Sequence, residues 1–175
     1  MANDGDRLTI DELMHLALKA VNESNDEMAI EYLKRVIERD PSKGLAHYLL
    51  GAVHAGLEMY DRAAEEMARA INLDPDIPAT AHFQLGFLQL IRGYLAEAEE
   101  AWRALDGRGE EDFLFRFKRG LLHLMADEFE ACIDDLRRGI ELNDFNEKLN
   151  NDMRNMLAKA EEALARSAAA GGLAH

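Results

Sequence analysis

Residues 44–75 read GLAHYLLGAVHAGLEMYDRAAEEMARAINLDP. Two amphipathic stretches of about a dozen residues flank a short polar break, a pattern that predicts a helix, a tight turn and a second helix. The stretch closes on Asp74-Pro75. Proline stops a helix and disfavours α conformation in the residue before it. The same ending, Asp40-Pro41, stands 34 residues earlier, so the chain must be searched for internal repeats before anything else is concluded.

Three columns emerge in one register. Small residues Ala17, Gly51, Gly86 and Gly120 recur at spacings of 34, 35 and 34. Ala29, Ala63, Ala98 and Cys132 keep those spacings, and so do the bulky Leu33, Met67, Trp102 and Leu136. The extra residue behind the spacing of 35 is placed in the Asp76-Ile77-Pro78 connection.

Composition agrees with a helical repeat protein. The chain has 175 residues, 48% hydrophobic and 31% charged, enough for one ordinary core. Only 3 prolines and 12 glycines interrupt a sequence rich in helix formers, so the fold class expected is all-α. A formal net charge of −14 argues against a nucleic-acid partner, which would need Lys and Arg to neutralise phosphates. No run approaches the roughly 18 apolar residues of a membrane span, and MANDGDRLTIDE is polar and acidic where a signal peptide is basic and then apolar. A cytoplasmic protein without membrane insertion is therefore expected. Cys132 is the single cysteine and excludes an internal disulfide.

On the small, alanine and bulky columns, the leucines Leu16, Leu50 and Leu85 before the small residue and the helix-ending prolines, the chain resembles tetratricopeptide-repeat proteins from about Ile10 to Asp144. The resemblance implies a right-handed superhelical array of helix-turn-helix units, here 10–43, 44–78, 79–112 and 113–144. A disordered N-terminus is expected over 1–9, a capping helix over 146–168 and a disordered tail over 169–175. Two departures stand out. The second helix of the third unit should stop early, because Gly107-Arg108-Gly109 is a strong breaker. The fourth unit carries Arg119 where the others have leucine, and lacks the terminal proline.

First helices in this family line the concave side. Beyond the packing columns, a second apolar stripe remains: Met14, Leu18 and Val21, then Tyr48, Ala52 and Ala55, then Phe83, Phe87 and Leu90, then Phe117, Leu121 and Leu124. The resemblance makes these the groove positions, and stacked units would join them into one apolar patch. The family's carboxylate clamp of Lys, Asn and Arg is absent, since the matching places hold Met14, Leu18, Leu49, Thr80 and Gln84. The reading is a non-catalytic adaptor whose groove binds an apolar or amphipathic peptide segment. Full burial of four or five large side chains at about 1.5–3 kcal/mol each, less about 2–5 kcal/mol for ordering, implies roughly micromolar affinity.

Size, acidity and groove character also resemble the class II chaperones of type III secretion systems, which would make the partner a hydrophobic translocator. Alternatively the chain covers the stripe itself, by folding back its last helix or by homodimerisation. His47 with His82, and His54 with His123, form two further columns, read as partly buried and hydrogen-bonded. His47 and His54 lie two turns apart, about 10 Å, too far to share a metal. Trp102 and Cys132 are read as core. Acidic stretches such as Glu97-Glu99-Glu100 are read as solvated faces. With no phosphate loop, nucleophile elbow or paired-cysteine site in view, no catalytic residue, cofactor or metal is expected.

Overall fold

The structure is a computed structural model and describes residues 7–172. Every regular element among them is helical. Four hairpins follow one another: α1 (Ile10–Asn22) with α2 (Asp26–Arg39), α3 (Gly44–Gly56) with α4 (Tyr60–Leu73), α5 (Ala79–Ile91) with α6 (Leu95–Trp102), and α7 (Phe113–Met125) with α8 (Phe129–Leu142). The single helix α9 (Glu147–Gly172) closes the chain. The chain falls into two compact units, Met1–Ala101 and Trp102–His175.

The turn inside each hairpin is the same device. Ser24, Glu58, Gly93 and Asp127 all take positive φ, at 55°, 59°, 85° and 58°. Their spacings of 34, 35 and 34 repeat those of the packing columns. The following N–H reaches back five residues in each case: Asn25 to the Ala20 carbonyl, Met59 to His54, Tyr94 to Gln89 and Glu128 to His123, at 2.8–2.9 Å. This left-handed cap satisfies carbonyls that the helix end leaves open. Only the third hairpin uses glycine, so the other three hold an L side chain in a costly backbone region.

Helix starts are local as well. Thr9 and Glu12 form a reciprocal capping box on α1, Asn25 caps α2 and Asp112 caps α7. The small column sets how close the two helices of a hairpin come. A Cβ on Gly51 would stand 2.8 Å from the Met67 side chain and 3.0 Å from the Ala63 carbonyl, and one on Gly120 would stand 2.9 Å from Leu136. The columns thus meet each other across the α3–α4 and α7–α8 interfaces.

In the first unit, α1, α2 and α3 share one core through Leu13, Met14, Ala17, Leu33, Val36, Ala46 and Leu50. Ala63 and Met67 on α4 and Leu88 on α5 form another, flanked by Tyr48, Ala52, Ala55 and Leu85. The short α6 gives way to a 3-10 turn, Arg103–Leu105, before the segment holding Gly107 and Gly109, the latter at φ 83°.

In the second unit, α9 lies along α8. Asn143 and Asn150, both almost fully buried, bond each other's polar groups at 2.7–2.8 Å, and Arg137 pairs with Glu161 at 2.6 Å. The helix begins at Glu147 and runs through Gly172, so residues 169–172 are helical rather than a disordered tail. The sequence SAAAG explains the extension, since alanine is the strongest helix former. Of the expected disordered ends, residues 1–6 and 173–175 lie outside the described residues. Residues 7–9 include Thr9, fixed as the cap of α1.

Candidate binding surface

Within the first unit, α3 and α5 differ sharply from α2 and α4. Neither α3, GLAHYLLGAVHAG, nor α5, ATAHFQLGFLQLI, contains an Asp, Glu, Lys or Arg. By contrast α2, DEMAIEYLKRVIER, and α4, YDRAAEEMARAINL, are charged on one side. Uncharged helices are normally buried on all sides. These two keep surface: Tyr48, Leu49, Ala52, Ala55, Phe87 and Leu90 are half-buried. Leu18 is 39% exposed, Leu45 37% and Ile91 45%.

Four of the residues expected to line a groove are core instead. Phe83, Phe117 and Leu121 have no exposed surface, and Met14 has almost none. Met14 belongs to the cluster built by α1, α2 and α3. Phe83 stacks on Phe87, with ring centroids 6.2 Å apart. Phe117 presses on Gly139, where an added Cβ would meet its ring at 2.5 Å, and meets Phe113 edge-on at 5.8 Å. A helix flanked by neighbours on two sides buries a wider arc than its packing column alone, so part of the second stripe is consumed by packing. Leu18, Tyr48, Ala52, Phe87, Leu90 and, in the second unit, Leu124 keep surface.

The histidine columns hold different environments. His47 is buried, its Nδ1 2.6 Å from the Glu66 carboxylate and its Nε2 3.0 Å from the Pro41 carbonyl. Both partners are acceptors, so each ring nitrogen faces one. His54 is buried with Nδ1 unpartnered. Burial pushes its imidazole below the ordinary value, against the attraction of Glu66 and with the help of Arg62 and Lys34. His82 is also pushed down by burial, partly offset by a hydrogen bond to the Ala101 backbone. Among the described residues no group of three or more His, Cys, Asp or Glu side chains is arranged to hold a metal ion.

The second unit carries a polar cluster that sequence reasoning missed. Asp135 is buried and accepts from Arg116 Nη1 at 2.8 Å and from Arg119 at 2.6 and 2.7 Å, while Glu110 bonds both arginines from the preceding segment. Burial alone would raise the Asp135 carboxyl, but the hydrogen bonds and charges of Arg119 and Arg116 outweigh it and hold the group below the usual carboxylate range. Lys118 pairs with Asp106 and Arg138 with Glu111, so the 106–112 segment is fastened to α7 and α8 by ion pairs. Arg116 and Asp135 are 19 residues apart, as are His47 and Glu66, and that shared spacing was the available signal. Cys132 is buried among these groups. Burial first and the Asp135 charge second push its thiol up to about 11, which makes it unreactive.

Among the described residues no helix is long and apolar enough to cross a membrane. The tetratricopeptide repeat family model matches residues 44–77. No curated protein matches the chain. Solved structures do. The Cut9-Hcn1 hetero-tetramer of the APC/C is similar with a TM-score of 0.75 and 18% identity over 91% of this chain, which spans only 31% of that one. A crystal structure of MamA gives 0.65 and 21%, covering 79% of this chain and 80% of that one. MamA 41-end from Desulfovibrio magneticus RS-1 gives 0.63 and 18%, covering 90% and 92%. At such identities the likeness speaks for the fold alone. Taken with the matched unit and the repeated columns, it shows the all-α fold of tetratricopeptide-repeat arrays, with one tetratricopeptide repeat matched over residues 44–77.

Proposed function

We propose that the chain is a non-catalytic cytoplasmic interaction module of four repeat units, and that the inner surface of its first unit takes an apolar or amphipathic segment of a partner protein. The observation that carries this reading is the pair of charge-free helices α3 and α5, which keep Tyr48, Ala52, Phe87 and Leu90 half open beside the exposed Leu18 and Leu45. A solvated face would be expected to carry charge; an uncharged face gains by being covered. One similar structure, Cut9-Hcn1, is a hetero-tetramer, which is in keeping with protein partners.

Half-covered side chains return less on binding than fully open ones. Each contributes about half of the full-burial value, roughly 0.7–1.5 kcal/mol. Association at this face is therefore weaker than the micromolar affinity that full burial implies, and exchangeable. The partner in a type III chaperone reading would be a translocator segment.

The test is the double variant Leu18→Lys with Leu45→Lys, both exposed and so tolerated by the fold. The segment that co-purifies with the endogenous protein, made as a labelled peptide, should lose at least about tenfold in affinity, while helicity measured by circular dichroism stays unchanged. Unaltered binding would place the site elsewhere. If the wild-type chain instead dimerises and the variant is monomeric, the face pairs with itself.

A further inference from the structure

The last helix is longer than covering the array requires. Among the described residues no other helix exceeds 14 residues, whereas α9 holds 26, and its last buried residue is Ala160. Residues 161–172 bury no side chain, yet they stay helical. They form one wall of a depression of about 370 Å³ against the first half of α8. Its apolar part is Ile133 from α8 with Leu164, Ala165 and Ala168 from α9; Leu164 is half-buried and the two alanines are exposed.

The polar part is unbalanced. Glu130, Asp134 and Glu161 share the depression with a single cation, Arg137, which is already bonded to Glu161 at 2.6 Å. Glu130 and Asp134 are exposed and pair with no cation among the described residues. The other cations of the two walls are engaged or stand elsewhere: Arg138 is held by Glu111 and Glu141, Arg166 lies 3.9 Å from Glu162, and Lys148 and Lys159 do not line the depression. Like charges four residues apart on one helix repel across a turn. The helix dipole rewards Glu130 in the first turn of α8 but not Asp134 in the second. A cation brought against the pair relieves that repulsion.

We propose that the α8–α9 groove seats a cationic amphipathic helix of another protein. A Lys or Arg pair one turn apart lies against Glu130 and Asp134, and aliphatic side chains cover Leu164, Ala165 and Ala168. The groove lies wholly in the second unit, and its volume falls within the ~300–1,000 Å³ of ordinary ligand clefts. Both walls are helices whose backbone groups are bonded internally. An extended segment would find no edge to pair with and would bury its own peptide groups unbonded, whereas a helix brings its hydrogen bonds with it. A second copy is a poor occupant. Among its described helices only α7 carries more cations than acids, and Arg116, Lys118 and Arg119 are taken by Glu110, Asp106 and Asp135. The depression beside Leu8 and Leu16 is edged by Asp11 and Glu12, and a second copy of the α8–α9 groove would set carboxylates against carboxylates.

The probe is a labelled helical peptide of about 18 residues with Leu along one face and Lys in i, i+4 pairs beside it, used with a twin that has Gln for each Lys. Titrated into the full chain in about 0.05 M NaCl, the Lys peptide should shift the backbone amide resonances of 130–137 and 161–168 and bind at least about fivefold more tightly than the Gln twin. Glu130→Gln with Asp134→Asn should weaken it about threefold or more, an effect that fades near 0.5 M NaCl. Ala165→Trp fills the groove without altering charge and should weaken it at least about tenfold. Glu97→Gln with Glu99→Gln removes the same charge from α6 and should leave affinity within about twofold. Leu18→Lys with Leu45→Lys, which disables the first-unit surface, should leave the shifts at 130–137 and 161–168 in place. Equal weakening by the two carboxylate pairs reduces the effect to general attraction toward an acidic chain and overturns the proposal, as do shifts confined to other residues or indifference to Ala165→Trp. A wild-type dimer that Ala165→Trp dissociates gives the groove to a second copy and overturns it too.

Discussion

The α3–α4 and α7–α8 hairpins share a frame and differ in what they bury at the same place in it. In the first, His47 reaches Glu66; in the second, Arg116 reaches Asp135, and Arg119 joins it. Gly51 and Gly120 lie against Met67 and Leu136 alike, so helix spacing is conserved while the polar content changes. Close approach is set by the small and bulky columns, and the remaining buried position tolerates any polar pair whose hydrogen bonds are satisfied. The consequence is a division of labour. In the first unit charge is kept off α3 and α5, leaving their open surface apolar; in the second, α7 is cationic and holds the 106–112 segment by ion pairs.

The sharpest way to break this comparison is to remove the acid from each pair. Asp135→Ala takes the buried partner from two guanidinium groups that cannot shed their charge and leaves them only Glu110, and should cost about 3 kcal/mol. Glu66→Ala leaves His47 its bond to Pro41 and removes a single hydrogen bond, so about 1–2 kcal/mol is expected. Urea unfolding of both variants measures the difference; equal losses would show that the two pairs are not energetically distinct.

Acid should separate the units with a smaller effect. His54 and His82 are pushed below the ordinary value of 6.5. The unfolded chain therefore takes up their protons first, and stability is full above about pH 6.5 and falls as pH drops toward the folded values. Asp135 is shifted the other way for a carboxyl: its contribution is present above about pH 4 and is lost only as pH falls through its lowered folded value. Hydrogen exchange at pH 7.5 and 5.5 should show α3 and α5 losing protection while α7 and α8 keep theirs. Equal loss in all four helices would refute the assignment.

The smallest effect concerns the turn that both hairpins share. Glu58→Gly and Asp127→Gly relieve a left-handed side chain and should each stabilise by up to about 1 kcal/mol, while Gly93→Ala should destabilise by a similar amount. Thermal melts of the three variants check the sign. Destabilisation by Glu58→Gly would mean that the turn is held by its side chain rather than merely tolerating it.

Much of the fold could be read from the sequence because repeat packing imposes spacing. A small residue facing an alanine and a bulky side chain every 34 or 35 residues has few explanations other than stacked hairpins. Position 119 was visible as a departure, yet its partner Asp135 was not, because its only sign was a spacing shared with one other pair. The α8–α9 groove escaped for a related reason: Glu130 and Asp134 read as an ordinary solvated face until α9 is laid beside them.

Helix identity, hairpin turns and the close-packed columns were determined by the sequence itself, since each depends on backbone propensity and on side-chain size at fixed intervals along a helix. Which apolar residues of the second stripe remain exposed was decided by tertiary structure alone. Leu18 and Phe117 look alike in sequence, but exposure depends on how near the neighbouring helices come, and the neighbours of Phe117 cover it fully while those of Leu18 leave it 39% open.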